Sequence, residues 1–165
     1  MKSQHICLVL ATTLFVACQH SPQFSVSGTL NGAVGEVLYL EHTALTHTIP
    51  MDSCVLDENG DFSLQAPSPQ YPDFYRLRVG NRSLPLAVDS IEAIVVSTTL
   101  DSLPYTLSID GSDASLTIAQ LRATARTATR EQLREQAQQT IMQNPRSLAA
   151  YYAVFLKQGG EYIWD

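Results

Sequence analysis

Residues 24–110 alternate apolar and polar side chains in short runs, and this period of two is the feature that most restricts the fold. Such alternation places one face of a strand in a core and the other face in solvent. Gly, Pro, Asn and Asp interrupt the runs at roughly the 8–12-residue spacing of a sandwich or a barrel. The pattern predicts about eight strands, at residues 24–30, 36–42, 48–57, 61–65, 73–79, 83–88, 91–97 and 105–110.

The turn residues between these runs favour an antiparallel arrangement. Asn59-Gly60 suits the positive φ angles of a tight hairpin, so the run that follows it is expected to be the returning strand. Pro85 limits its own run to an edge strand or a bulge, because proline donates no ladder hydrogen bond. We therefore predict a mainly β protein whose body, residues 24–111, is an antiparallel β-sandwich of about eight short strands.

After the sandwich the apolar period changes from two to that of a helix, which predicts a helical connector over residues 112–165. Ser112 is the expected N-cap of the first helix. Thr129 and Gln132 have the spacing of a capping box, so the helix is expected to bend or to restart there. The connector should therefore hold two or three helices.

A short apolar helix is predicted over residues 148–156. Asn144 is its expected N-cap and Pro145 its first helical residue, because asparagine and proline favour those positions. The last residues, 161–165, carry large apolar side chains without a polar tail. We expect them either to dock onto the sandwich or to precede a further domain.

The net charge of −6 excludes some classes of partner. Phosphate neutralisation requires clustered Lys and Arg, so nucleic acid is not expected to bind. Adhesion to anionic lipid head groups by charge alone is disfavoured for the same reason.

The first 18 residues have the pattern of an export signal. Lys2 precedes an apolar run of about 11 residues, and Ala17 and Cys18 follow it. A run of this length is too short for a bilayer anchor, which takes ~20 residues, but it suits a secretory signal peptide. The alternative interpretation is an ordinary buried strand or helix with a buried thiol at Cys18.

The small residue before Cys18 makes this segment resemble a bacterial lipoprotein signal, although Phe15 stands where leucine is more common. The resemblance implies that residues 1–17 are removed and that Cys18 becomes the first residue and carries acyl chains such as palmitate. Several acyl chains hold a domain firmly, since each buried CH₂ contributes ~0.8 kcal/mol. Residues 18–23 would be the tether, and the protein is expected in the cell envelope, lipid-anchored at the outer membrane or facing the periplasm.

The cysteines argue against a redox centre in the chain. Cys7 leaves with the signal, Cys18 would be acylated, and Cys54 remains. There is no Cys-x-x-Cys, and one remaining cysteine cannot form an internal disulfide framework. Cys54 falls in a strand pattern and is expected to be a small core residue, with a thiol that pairs with another chain as the alternative.

The body also resembles a known family. The segments that carry the resemblance are Asp52-Ser53, Gly60 to Phe62 and Gly111-Ser112, together with the strands around them. They resemble the β-domain of unknown function at the front of many thiol–disulfide interchange lipoproteins of Bacteroidota. The resemblance covers about residues 24–115, and the helices after it resemble the connector of the same proteins.

In that family the connector leads to a thioredoxin-like domain with Cys-x-x-Cys, which is absent from this sequence. The resemblance therefore implies export, the lipid anchor at Cys18 and a β-domain that binds or positions something. It implies no oxidoreductase activity for these residues, and a thioredoxin-like protein is the expected partner. A longer reading frame that contains Cys-x-x-Cys would instead make this the front half of an oxidoreductase.

Two groups of polar residues have the composition of a site. Glu41, His42 and His47 include types that bind zinc, although two histidines beside a loop are few ligands, and solvated histidines are the simpler interpretation. Asp52-Ser53 with His47 has the composition of a hydrolase triad. There is no Gly-x-Ser-x-Gly, so a role in the sheet is favoured. We therefore expect no catalytic residue, cofactor or metal site.

Basic residues recur in two places. Three arginines are predicted on one face of the sheet, and these are Arg76, Arg78 and Arg82. They are expected to form either an anion site or a solvated face that pairs with nearby acids. Three arginines of the first predicted helix are spaced by four residues, and these are Arg122, Arg126 and Arg130. They predict either a stripe that docks an acidic partner or a solvated helix face.

Two Asp-Ser-apolar triplets resemble sites that receive O-linked sugar in Bacteroidota. They place the acceptor hydroxyl at Ser90 and at Ser102. Intact mass of protein from the native host tests this modification.

Two functions follow from these observations. The first is a membrane-anchored, non-enzymatic β-domain that serves as a recognition or spacing module for thiol–disulfide redox proteins. The alternative is a free-standing lipoprotein that binds a small molecule or a peptide, because eight strands can enclose an apolar interior.

Overall fold

The computed structural model describes residues 22–106 and 108–165. Within these ranges lie ten strands, three α-helices and one 3₁₀-helix. The strands are β1 (Gln23–Asn31), β2 (Val37–Thr43), β3 (Thr48–Val55), β4 (Asp61–Pro67), β5 (Asp73–Val79), β6 (Arg82–Val88), β7 (Ala93–Thr99), β8 (Ile109–Asp110), β9 (Lys157–Gln158) and β10 (Glu161–Tyr162). The helices are α1 (Asp113–Thr127), α2 (Arg130–Gln143), α3 (Leu148–Val154) and the 3₁₀-helix Leu103–Tyr105.

Two four-stranded sheets pack face to face. One has the strand order β4-β1-β7-β8 and the other β3-β2-β5-β6. Side chains from both sheets share one hydrophobic cluster, in which Phe24 meets Tyr75 edge to face with ring centroids 4.7 Å apart. The predicted mainly β fold, a sandwich followed by a helical segment, is confirmed.

Strand alternation accounts for the composition of this core. In β5 the side chains of Tyr75, Leu77 and Val79 are buried, and the residues between them lie on the outer face, as predicted. Fully burying a side chain such as Leu77 stabilises the fold by about 1.5–3 kcal/mol. The same alternation buries every second residue of β4 and β7.

One strand pair is parallel, whereas the sequence predicts antiparallel strands throughout the sandwich. β1 lies between β4, its antiparallel neighbour, and β7, its parallel neighbour. Gly28 of β1 stands opposite Val96 with a φ of +140°, and a Cβ at Gly28 would lie 1.9 Å from the Val96 carbonyl oxygen. Glycine thus permits the close approach of these two strands.

The chain changes sheets between β3 and β4, so the predicted hairpin at this point is wrong. Gly60 does adopt a positive φ of +70°, and Asp57 Oδ1 accepts hydrogen bonds from the backbone of Asn59 and Gly60. However, β3 pairs with β2 and β4 pairs with β1. Across the corner, Asp52 Oδ2 accepts from the Gln65 backbone N–H at 2.8 Å.

The strand predicted over residues 105–110 is largely replaced by another structure. Leu103–Tyr105 is a 3₁₀-helix, and among the described residues of this segment only Ile109–Asp110 forms a strand with β7. Pro104 stands at the start of that helix, where its fixed φ favours a helical turn. Tyr105 is consequently carried out of the sheet and toward α1.

The first two helices begin where the sequence predicts. Ser112 caps α1 by accepting a hydrogen bond from the Ser115 N–H. Thr129 and Gln132 form both bonds of a capping box at the start of α2. Ser112 Oγ also donates to the Ala87 carbonyl of β6 at 3.0 Å, which fixes α1 against that edge of the sandwich.

The predicted start of the third helix is wrong. Asn144 is the C-cap of α2, and Ser147 is the N-cap of α3, with its Oγ accepting from the Ala150 N–H at 3.1 Å. The residue before a proline avoids the helical region, and Asn144 accordingly has φ −147° and ψ 79° before Pro145. The same proline therefore ends one helix and separates it from the next.

The C-terminal residues dock onto the helices, whereas one of the two sequence-based expectations is docking onto the sandwich. A second hydrophobic cluster joins all three helices to the last turn, and it consists of Leu121, Leu133, Ala137, Ala153, Leu156 and Ile163. Trp164 Nε1 donates to the Ala153 carbonyl at 3.1 Å, and the Arg134 side chain donates to the carbonyl of Ile163. None of the helices within the described ranges has the length and apolarity needed to span a bilayer.

Candidate functional site

The predicted lipid-attachment residue, Cys18, and the predicted signal peptide, residues 1–17, lie outside the described residues. The two predicted sugar acceptors, Ser90 and Ser102, are exposed at loop positions. The Ser90 hydroxyl donates to Asp89 Oδ1 at 2.8 Å. Their modification stays a prediction.

The arginines of the sheet face surround a buried carboxylate. Glu41, which is 4% exposed, accepts from Arg76 Nε at 2.6 Å and from Arg78 Nε and Nη2 at 2.9 and 2.7 Å. Arg82 pairs separately with Asp101 at 2.9 Å. The structure thus follows the alternative in which acids neutralise this basic face, and it leaves no cluster of free cations there for an anion.

The electrostatics of Glu41 favour its ionised form. Burial raises its pKa, but the hydrogen bonds and charges of Arg78 and Arg76 outweigh burial, so the pKa lies below its ordinary value. Hydrogen bonding to Glu41 raises the pKa of Arg78. Both oxygens of Glu41 are therefore engaged by guanidinium groups.

The two histidines do not converge on Glu41. His42 Nε2 contacts Asp73 Oδ2 at 2.7 Å, and its ring lies 5.1 Å from that of Tyr75. His47 Nδ1 lies 3.0 Å from the hydroxyl of its neighbour Thr46. Within residues 22–106 and 108–165, no cluster of His, Cys, Asp and Glu has the geometry to hold a metal ion.

Asp52 has a structural role. Its Oδ1 accepts from the Ser53 backbone N–H at 2.8 Å while its Oδ2 accepts from Gln65. Both carboxylate oxygens thus bind backbone groups, and the carboxylate holds the corner between the two sheets. The composition of a triad at Asp52, Ser53 and His47 is not accompanied by its hydrogen-bond geometry.

Cys54 is half-buried and packs against the edge of the core. Burial, and then the charge of Asp52, raise the pKa of its thiol. Because the thiolate is the reactive form, this environment makes Cys54 a weak nucleophile at neutral pH. Cys54 therefore packs against the core, as the sequence predicts.

The arginines of the predicted helical stripe contact other parts of the protein. Arg122 donates from Nε to the Pro104 carbonyl at 3.3 Å and from Nη1 to the Tyr152 hydroxyl at 3.2 Å. Arg130, which is predicted on the first helix, is instead the first residue of α2, because α1 ends at Thr127, and it pairs with Glu161 at 2.8 Å. Only part of the stripe therefore keeps its charge available to a partner.

Two of these arginines line a surface cleft of about 410 Å³ between α1, α3 and the segment after α3. We call it the basic cleft and define it by Tyr105, Arg122, Arg126, Tyr152, Phe155 and Lys157. The guanidinium of Arg126 lies 4.1 Å from the ring centroid of Tyr105, and Lys157 Nζ lies 4.3 Å from that of Tyr162. Aromatic faces attract cations at these distances, so the rings orient both charges.

Sequence reasoning found the cations of α1 but missed the other half of the basic cleft. The sequence pattern predicts a strand at Tyr105, and Lys157 is isolated in the sequence, so neither residue indicates a site. The end of α3 brings Lys157 beside Phe155, and the 3₁₀-helix brings Tyr105 beside Arg126. A signal was available in Pro104, which favours the helical turn that moves Tyr105.

A second cleft, of about 660 Å³, lies where the β6–β7 loop meets α1 and the α2–α3 loop. Asp89, Glu92 and Asp113 line it, and we call it the carboxylate cleft. Burial, and then the neighbouring Asp89, raise the pKa of Glu92 to about 7. Ionised Glu92 leaves its Oε2 buried without a hydrogen-bond donor in the described part of the chain, whereas the protonated carboxyl can donate to Asp89.

Comparison with known proteins identifies the family. The profile of a domain of unknown function, DUF4369, matches residues 24–115, which is more than half of the chain, and the chain belongs to this family. No curated protein matches it. Among solved structures it is similar to a 9R-lipoxygenase from Cyanothece PCC8801, with a TM-score of 0.34 and 11% identity. That similarity covers 76% of this chain and 25% of the lipoxygenase, so the chain spans about a quarter of its length.

Proposed function

We propose that this protein is a lipid-anchored lipoprotein of the cell envelope whose β-domain is a non-catalytic recognition or spacing module for thiol–disulfide redox proteins. The anchor is proposed from the signal pattern that ends at Cys18, and the redox association from the resemblance to thiol–disulfide interchange lipoproteins of Bacteroidota. Membership of the family of unknown function is consistent with the lipid anchor and with the redox association, but it is specific to neither of them.

One observation carries the choice of binding over catalysis. The polar residues that resembled catalytic groups are bonded within the protein, whereas aromatic side chains of α3 and of its C-cap are exposed. Tyr151 is 54% and Phe155 is 53% exposed, and their ring centroids lie 4.9 Å apart. Exposed aromatic groups of this kind are enriched in protein interfaces. The weakly nucleophilic thiol of Cys54 gives no support to a redox reaction within the described residues.

The anchor is tested with two cysteine variants expressed in the native host. Cys18→Ser is expected to abolish processing, remove the acyl mass and shift the protein out of the membrane fraction. Cys54→Ser changes the other cysteine of the mature chain and is expected to behave as the wild type. Intact mass and fractionation measure both results. Wild-type protein that is unprocessed, unacylated and soluble would contradict the proposal.

The redox association is tested by crosslinking in the envelope, followed by mass spectrometry. We expect the wild-type protein to capture a thioredoxin-like protein with Cys-x-x-Cys, and to lack disulfide reductase activity itself. The second result tests the non-catalytic role separately from the first. Failure to capture any thioredoxin-like protein, in an experiment where the anchor is intact, would remove the redox association and leave the lipoprotein assignment standing.

The alternative, a free-standing lipoprotein that binds a small molecule or a peptide, has its support in the two surface clefts and not in the sandwich interior. Side chains of both sheets fill that interior, among them Phe24, Leu40 and Leu77, each fully buried. A small ligand would therefore bind at the surface. Native mass spectrometry of protein from the native host, with a copurified small molecule at constant stoichiometry, would favour this alternative.

A further inference from the structure

We infer that the basic cleft binds an acidic peptide segment of a partner protein. Carboxylates of the segment would contact Arg126 and Lys157, and an apolar side chain would pack on Phe155. This inference deepens the proposed recognition role and rests on it, because it names the chemistry of the partner and the surface that receives it.

The cations of the basic cleft differ in their pairing from others in the protein. Neither Arg126 nor Lys157 has a carboxylate within salt-bridge distance in the described part of the chain. Four other arginines do have one, and these are Arg76, Arg78, Arg82 and Arg130. No aspartate or glutamate lines the cleft. Its positive charge therefore remains available to an anionic ligand.

The aromatic rings orient these charges without neutralising them. A guanidinium on the face of a ring keeps its N–H groups at its rim, where they can donate to a carboxylate. Arg122 is held more firmly, by Pro104 and Tyr152, and its Nη2 makes no hydrogen bond within the described residues. Orientation before binding reduces the entropy that a ligand must overcome.

The apolar part of the cleft favours a peptide over a small inorganic anion. Phe155 lines the basic cleft and also contacts Tyr151, which contacts Phe74 with ring centroids 5.9 Å apart. The cleft thus continues into an exposed aromatic surface. An inorganic anion would use the cations alone, whereas a peptide would cover the rings as well.

Charge complementarity indicates that the partner's binding segment is negatively charged. The whole chain carries −6, so a cleft with three cations and no acid is a local exception in an otherwise acidic protein. Such a patch steers an acidic surface toward itself and repels basic ones. Nucleic acid would need a longer basic surface, since its affinity depends on many phosphate contacts.

The test uses the full chain in mild detergent and a short fluorescein-labelled peptide in which glutamate alternates with leucine. A second peptide has glutamine in place of glutamate. Fluorescence anisotropy is expected to show binding of the first peptide that weakens as salt is raised, and much weaker binding of the second. Arg126→Glu with Lys157→Glu is expected to weaken binding of the acidic peptide about tenfold or more.

A matched control makes the same change of charge elsewhere. Arg82→Glu with Arg146→Glu alters two arginines outside the basic cleft, the half-buried Arg82 that pairs with Asp101 and the exposed Arg146, and is expected to keep the wild-type affinity within about twofold. Phe155→Ala is expected to weaken binding without changing its salt dependence, because it removes the apolar contact only. Circular dichroism confirms that each variant is folded.

Several results would overturn the inference. These are no binding of the acidic peptide, equal binding of the glutamine peptide, equal losses in the two double variants, and displacement of the peptide by inorganic phosphate at the same concentration as by unlabelled peptide. None of them would affect the acylation of Cys18 or the capture of a thioredoxin-like protein, so failure here is distinguishable from failure of the proposed function.

Discussion

Glu41 holds Arg78 through two hydrogen bonds to a single oxygen, since Oε1 accepts from Nε at 2.9 Å and from Nη2 at 2.7 Å. Its other oxygen accepts from Arg76, the residue directly opposite on β5. The guanidinium of Arg78 also lies 4.4 Å from the ring centroid of Tyr39. A carboxylate that is buried on the outer face of a sheet is thus stabilised by its two arginines.

Removing the charge of Glu41 should destabilise the sandwich. Glu41→Gln leaves two arginines without their shared counterion, and we expect the free energy of unfolding to fall by about 2–4 kcal/mol. Urea denaturation at neutral pH measures the change. Glu36→Gln makes the same substitution at an exposed position of the preceding turn and should change stability by less than about 0.5 kcal/mol. Equal effects of the two variants would contradict the role of the cluster.

The same cluster predicts the direction of acid destabilisation. The folded-state pKa of Glu41 lies below its unfolded value, so its contribution is fully present above the unfolded pKa, about 4.5. The contribution is lost as pH falls through the folded pKa. The stability difference between the wild type and Glu41→Gln should therefore shrink as the pH of the denaturation is lowered below about 4.5. A difference that is constant down to low pH would contradict this assignment.

Ser115 covers an open sheet edge, and its removal should be costly. Ser115 is 0% exposed, and its Oγ accepts from the N–H of Ala87 on the edge strand β6 at 2.9 Å and donates to the Ala87 carbonyl at 3.1 Å. Ser115→Ala leaves that buried N–H without its partner, so we expect a loss of about 1–3 kcal/mol. Thermal denaturation measures it. Ser63→Ala, at an exposed position of β4, is the control and should have little effect.

Much of the fold could be predicted because its signals are local. Alternation predicts seven of the eight strands of the sandwich and the end of the eighth, β8, and the caps at Ser112 and Thr129 depend only on residues within one helical turn. Pairing partners are not local. The turn at Gly60 has the predicted backbone, yet nothing in residues 57–60 specifies that the next strand joins β1 in the opposite sheet. The sequence does not predict the parallel pairing of β1 with β7 for the same reason.

The candidate site was less predictable because its members come from distant segments. The spacing of Arg122 and Arg126 was visible in the sequence, but its meaning depends on Tyr105 and Lys157, which the tertiary fold brings to them. The interpretation of Arg76 and Arg78 likewise depended on Glu41, whose position opposite Arg76 is set by strand register. The charge pattern of the sequence therefore predicts which arginines share a face of a helix or sheet. The tertiary fold determines which of these arginines are paired with a carboxylate.

The close approach of β1 and β7 predicts a large effect at Gly28. Gly28→Ala places a Cβ against the Val96 carbonyl in the middle of a sheet, so we expect a loss of at least about 3 kcal/mol, or failure to fold. Gly80→Ala is the matched control, since Gly80 also has a positive φ, +55°, but has open space around its Cβ position. Its cost should be about 1 kcal/mol. Equal losses of unfolding free energy in the two variants would show that the cost comes from the positive φ alone and not from the contact with the Val96 carbonyl.

Glu92 predicts a stability that decreases as pH rises toward neutrality. Its folded-state pKa of about 7 exceeds the ordinary 4.5, so the folded protein binds the proton more tightly, and stability falls between these two values as the buried carboxyl ionises. Glu92→Gln keeps a neutral group and should be more stable than the wild type by on the order of 1–3 kcal/mol at about pH 8, with the advantage vanishing near pH 5. Glu58→Gln, at an exposed turn, should show no such pH dependence. Urea denaturation across this range measures all three proteins, and a pH-independent difference for Glu92→Gln would contradict ionisation as its cause.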